Sequence, residues 1–199
     1  MLNNILHVEH GFQHIIDGAD EIFSANSKEQ CFEVALELFR NDAYQARMLA
    51  TTILGRLAIE DNDALRFLKE QVSTDKNWRV QEMLAKAFDE ICKNRGYEKC
   101  FYLIDIWLDD DNPNVVRAVT EGLRIWTSRP FFKDNPSLAI ELISRHKAHE
   151  SEYLRKSVGN ALKDISKKHG ELVAYELQTW DLSNPLILFT YKYANKLLK

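Results

Sequence analysis

The chain has 199 residues, 45% hydrophobic and 28% charged with a formal net charge of -4, which is enough for one well-buried domain and carries no disordered bias. No apolar run approaches the roughly 20 residues of a bilayer span, and Met1-Leu-Asn-Asn-Ile-Leu-His7 lacks a basic stretch followed by an apolar one, so a cytoplasmic protein with no membrane partner is expected. Cys31, Cys92 and Cys100 form no CxxC pair and read as reduced, packed thiols, which argues against a disulfide framework or a zinc site.

With only seven Gly and four Pro, and apolar positions at 3.6-residue spacing almost throughout, the chain reads as all helix. Helices are predicted over 3–23, 28–40, 42–58, 61–73, 77–94, 97–109, 113–128, 136–146, 150–168, 170–180 and 184–198. The fifth shows the rule: Val80, Met83, Leu84, Ala87, Phe88 and Ile91 form a buried stripe, with Glu82, Lys86 and Asp89 on another side. Asn112-Pro113 and Asn135-Pro136 each put a capping residue before a ring already fixed at helical φ. The longest irregular stretch, 127–136, sets Arg129 and Lys133 beside Phe131 and Phe132; it reads either as a grip on a sugar-phosphate backbone or as two rings plugging the core. Short joints predict antiparallel helix pairs, and no linker interrupts them, so 1–199 reads as a single domain.

A helix-opening phrase returns at Tyr44-Gln-Ala-Arg47, Trp78-Arg-Val-Gln81, Asn114-Val-Val-Arg117 and Glu152-Tyr-Leu-Arg155. Aligned on Ala46, Val80, Val116 and Leu154, its steps are 34, 36 and 38 residues, the size of a HEAT-like two-helix unit. The expected fold is all-α, an α-α superhelix or solenoid of such repeats. A unit of this kind cannot bury its apolar side alone, so neighbours share one core and function is sought on the concave face, where the second helices lie side by side. Charge is uneven: residues 1–111 hold 12 Lys+Arg against 21 Asp+Glu, and residues 112–199 hold 14 against 9, so the second half suits phosphates better.

There is no Walker loop, G-x-G-x-x-G, G-x-S-x-G or H-E-x-x-H, and neither a cofactor nor a metal is expected. His7, His10 and His14 would share a helix side near Glu9; they read as surface or packing histidines, and a metal-binding or small-ligand helical protein rests on that row alone. The other constellation is Trp78 with Glu82, then Arg117, Glu121 and Arg124, then Lys156, Asn160 and Asp164, each set on one side of its helix. On equivalent helices of successive repeats, these would bring a carboxylate, an arginine and an aromatic ring onto one surface. The ordinary reading makes Trp78 and Trp126 packing residues, and Glu82 a solvated carboxylate paired with Lys86 one turn on.

The phrases Asn77-Trp-Arg-Val-Gln-Glu-Met-Leu-Ala-Lys-Ala-Phe88, Val116-Arg-Ala-Val-Thr-Glu-Gly-Leu-Arg124 and Leu154-Arg-Lys-Ser-Val-Gly-Asn-Ala-Leu-Lys-Asp-Ile165 resemble the bacterial DNA alkylation repair family, the HEAT-like glycosylases of the AlkC and AlkD type, over roughly residues 40–195. A monomer is expected, and the resemblance implies excision of cationic N3- or N7-alkylated purines from duplex DNA, without cofactor and without a deep base-flipping pocket. It makes Glu82 the catalytic carboxylate, four positions after Trp78, and Asp164 a second acid. Trp78, Trp126 and Asn160 would contact substrate, and Arg47, Arg117, Arg155, Lys156 and Lys163 would hold the DNA backbone. The chain departs from the AlkD type in having Glu where that type has Asp, Gln81 in the arginine column, and Asn160 in place of a groove Trp. The alternative is therefore a non-catalytic HEAT-like scaffold with a degenerate DNA groove and a protein partner.

Overall fold

Polar side chains at the turns set where the helices begin. Asn41 Oδ1 accepts from the Ala43 amide, Asp75 Oδ1 from Asn77, Asp110 Oδ1 from Asn112, His149 Nδ1 from Ser151, and Asp181 Oδ1 from Ser183. Each bond closes a turn two residues ahead and reverses the chain before a helix starts. The computed structural model describes residues 5–8 and 11–198, without the side chains at 125 and 126. It divides into two compact units, Met1–Gly96 and Tyr97–Lys199.

The first unit contains α1 (Gln13–Ala25), α2 (Lys28–Phe39), α3 (Tyr44–Leu57), α4 (Asn62–Glu70), a 3-10 turn (Val72–Thr74) and α5 (Trp78–Arg95). A capping box of Ser27 and Gln30 opens α2, while the side chains of Asp61 and Asn77 accept from first-turn amides of α4 and α5. The predicted helix over 3–23 is shorter: α1 starts at Gln13, because Gly11 has φ +90 and breaks the run before it. Helix α3 is the centre of the unit and packs against α1, α2, α4 and α5. Its Met48, Leu49, Ile53 and Leu54 are fully or almost fully buried, and truncating any of the leucines costs about 2–5 kcal/mol. A Cβ on Gly55 would lie 2.6 Å from Ala87 Cβ, so this glycine sets how closely α3 approaches α5.

The second unit contains α6 (Phe101–Leu108), α7 (Pro113–Trp126), α8 (Pro130–Asp134), α9 (Pro136–Ser144), α10 (Glu152–Gln178), α11 (Pro185–Ala194) and a 3-10 turn (Asn195–Leu197). Proline opens α7, α8, α9 and α11, where its missing N–H is not needed. Helix α10 is bent at His169, at φ -129 and ψ 47, which matches the predicted break between 150–168 and 170–180. The stretch 127–136 is not irregular throughout, since α8 lies inside it. Phe132 is fully buried and meets Phe131 edge-on at 5.0 Å and Tyr97 at 6.4 Å, so its ring plugs the core.

The column Ala46, Val80, Val116 and Leu154 is buried throughout. Within the first unit α3 lies against α5, and within the second α7 lies against α10, so second helices of successive repeats are neighbours as the repeat spacing predicts. No strand occurs among the described residues, and none of their helices is long and apolar enough to cross a membrane. The three cysteines are buried and in no disulfide, and burial pushes the Cys31 thiol above its ordinary range.

Candidate functional site

The residue that follows the buried column turns back onto its own helix entry. Arg47 Nη1 donates to the carbonyls of Asn41 and Asp42 at 3.0 and 2.8 Å, and Arg155 Nη1 to those of His149 and Glu150 at 2.6 and 2.8 Å. Gln81 Nε2 donates to the carbonyl of Asp75 at 2.8 Å and to those of Val72 and Ser73 at 3.1 and 3.2 Å. In these three repeats the column Arg or Gln is thus a clamp on the turn six residues earlier, giving its main-chain carbonyls a side-chain donor. Arg47 also ion-pairs with Asp75 at 2.5 Å, which joins one turn to the next within the first unit. Gln81 is 3% exposed, Arg155 6% and Arg117 4%. The clamp was missed in the sequence; its signal is Asn41, Asp75 and His149, each six residues before a column Arg or Gln.

Because Gln81 faces inward, Glu82 turns to the other side of α5 and is half-buried. Trp78, one turn earlier at the start of the helix, is 53% exposed. The Arg79 guanidinium lies over the Trp78 ring at 4.5 Å and over the Tyr44 ring at 5.2 Å. Further along α5, Lys86 covers the Phe12 ring at 5.0 Å. A shallow groove of about 250 Å³ follows, lined by Ile16, Thr52, Gly55, Met83, Lys86 and Ala87. A concavity of about 530 Å³ elsewhere in this unit is walled by Glu29, Glu33, Glu60, Asp61 and Asp63, a lining that repels polyanions.

In the second unit the candidate residues form one charged chain. Arg124 Nη1 pairs with Glu121 at 2.7 Å, while its Nη2 and Nε reach Asp164 Oδ2 at 2.6 and 3.1 Å. Lys167 Nζ takes the other oxygen of Asp164 at 2.8 Å. Burial would raise the pKa of Asp164, but the hydrogen bonds from Lys167 and Arg124 outweigh it and hold the carboxyl below its usual range. Arg117 lies 3.6 Å from Glu121 and covers the Tyr153 ring at 4.3 Å. Arg155 covers the Phe189 ring at 5.0 Å.

Lys156 pairs with the exposed Glu152 at 2.7 Å, and Lys163 donates to the half-buried Asn160 at 3.1 Å. The Trp126 side chain and all of His10 and Glu9 lie outside the described residues. Of the histidine row, His7 is exposed and His14 half-buried. Among the described residues no group of three His, Cys, Asp or Glu is placed to hold a metal ion.

A family model described as DNA alkylation repair enzyme matches residues 14–193. The crystal structure of AlkD2 from Streptococcus mutans is 47% identical, with a TM-score of 0.95, covering 99% of this chain and 95% of that one. The structure of smu.31 from Streptococcus mutans UA159 is 46% identical with a TM-score of 0.90, covering 94% and 93%. The uncharacterized protein YhaZ of Bacillus subtilis is 33% identical over 135 residues, 61% of this chain and 38% of that protein, so the chain spans well under half the length of this curated relative.

Proposed function

The chain belongs to the DNA alkylation repair enzyme family, and on that premise we propose that it is an N-glycosylase releasing cationic N3- or N7-alkylated purines from duplex DNA. The observation that carries the reading is the side of α5 on which Glu82 sits. Gln81 occupies the inward clamp, so Trp78 and Glu82 share the outer side one turn apart, ring exposed and carboxylate half-buried.

As the glycosidic bond breaks, its electron pair leaves with the alkylated base, which departs neutral, and positive charge builds on the deoxyribose. Glu82 would stabilise that charge and orient the water that adds to the sugar, while Trp78 packs against the nucleotide. Lys156, whose partner Glu152 is exposed, and Lys163, whose partner Asn160 is half-buried, would exchange them for phosphate oxygens. No metal or cofactor enters this scheme.

A second reading, a non-catalytic repair-family scaffold with a protein partner, is favoured by one observation: the Arg155 guanidinium is spent on its own turn, and Asp164 is neutralised by Arg124 and Lys167. Release of free base from N3- and N7-methylated duplex DNA decides between them. The native chain should release base and Glu82→Gln should lose at least about a hundredfold of that rate; no release by a folded native chain leaves the scaffold reading standing.

A further inference from the structure

The arginines of the first unit are mostly committed. Arg47 holds Asp75, Arg56 holds Asp20, Arg66 holds Asp63, and Arg95 donates to the carbonyls of Ala58 and Ile59. Arg79 is built differently. Its guanidinium is half-buried against the rings of Trp78 and Tyr44, at 4.5 and 5.2 Å, and among the described residues it has no carboxylate or carbonyl partner.

Two aromatic rings hold the guanidinium and leave its donors unspent. A planar cation held this way loses little freedom when it takes two oxygens of one anion, and its fork matches the spacing of phosphate oxygens. The rings also restrict Trp78 in turn, so the cation and the exposed indole are presented together, three residues from Glu82 in the sequence of α5.

We propose that Arg79 is a phosphodiester-binding residue, taking the non-bridging oxygens of the DNA backbone beside the nucleotide addressed by Trp78 and Glu82. This rests on the reading that the chain binds duplex DNA.

The test is binding of the full chain to a short fluorescent undamaged duplex by anisotropy, across about 50 to 200 mM salt. Arg79→Gln should bind about tenfold more weakly, with a log-log salt slope shallower by about one phosphate contact. Arg79→Lys, which keeps the charge but not the fork, should keep the slope and lose part of the affinity. Tyr44→Leu, which removes one ring and keeps the charge, should weaken binding about threefold and serves if Arg79→Gln does not fold. Affinity and slope in Arg79→Gln equal to those of a native chain that binds would overturn the assignment of Arg79 alone. No binding by the native chain would overturn the DNA reading and the assignment together.

Discussion

Both units spend most of their arginines on internal partners, and they differ in what the fold leaves over. The second unit is the more basic, with 15 Lys+Arg against 14 Asp+Glu, while the first has 11 against 16. Yet it is in the second unit that Arg124 is locked to Glu121 and Asp164 and that Arg155 is buried on its own turn, whereas the acidic first unit presents Arg79 with its donors open. Net charge measures what a segment contains; what it offers a ligand depends on how many of those charges the fold has already consumed.

The sharpest test of this contrast is stability. Arg155→Leu strips the turn carbonyls of His149 and Glu150 of their donor, and should cost about 3 kcal/mol in urea unfolding. Arg79→Gln, losing two partly exposed ring contacts, should cost about 0.5 kcal/mol. Equal losses would erase the distinction between a clamping and a presented guanidinium.

The close helix approaches come next. A Cβ on Gly159 would meet Tyr193 and lie 2.8 Å from the Thr190 carbonyl, while one on Gly55 would meet Ala87. Gly159→Ala and Gly55→Ala should each cost about 2 kcal/mol by overpacking and lower the thermal midpoint by roughly 4–8 °C. If only one variant is affected, the units differ in how far their helices can give.

His146 yields a pH dependence that belongs to the second unit. Burial, together with His149 and Arg145, pushes it from 6.5 to about 4. The unfolded chain therefore binds more protons between those values, so stability is full above about pH 6.5 and falls as pH drops toward 4. The loss should reach about 2 kcal/mol after allowing for partial exposure, and His146→Phe should flatten that part of the unfolding profile. No measurable change in the unfolding midpoint is expected of Lys156→Met, because its pair with Glu152 is exposed.

Much of the architecture was legible from residue spacing, and the reason is physical. Ala46, Val80, Val116 and Leu154 are all buried, and burial imposes a period that can be read from the order of apolar residues alone. The break near His169 falls where the predicted helices 150–168 and 170–180 part. The clamp was not legible, because its acceptors are main-chain carbonyls that every residue carries, and an arginine bound to a carbonyl looks in sequence like one awaiting a phosphate. Arg79 was passed over because its distinction lies in two ring contacts, one with Tyr44 in another helix, which no local spacing announces. The early start assigned to the first helix has a plain cause: a lone glycine within an apolar pattern does not declare a positive φ.

The turn clamp also bears on how the chain folds. A bond from Arg47 to the carbonyls of Asn41 and Asp42, or from Arg155 to those of His149 and Glu150, closes a loop of only about six residues, and such a loop forms with little loss of chain entropy. Each helix entry can therefore be shaped before its repeat has found a neighbour, leaving collapse to join segments whose directions are already set. The carbonyl-bound arginines are in this sense expected to organise the chain early, before any ligand is met.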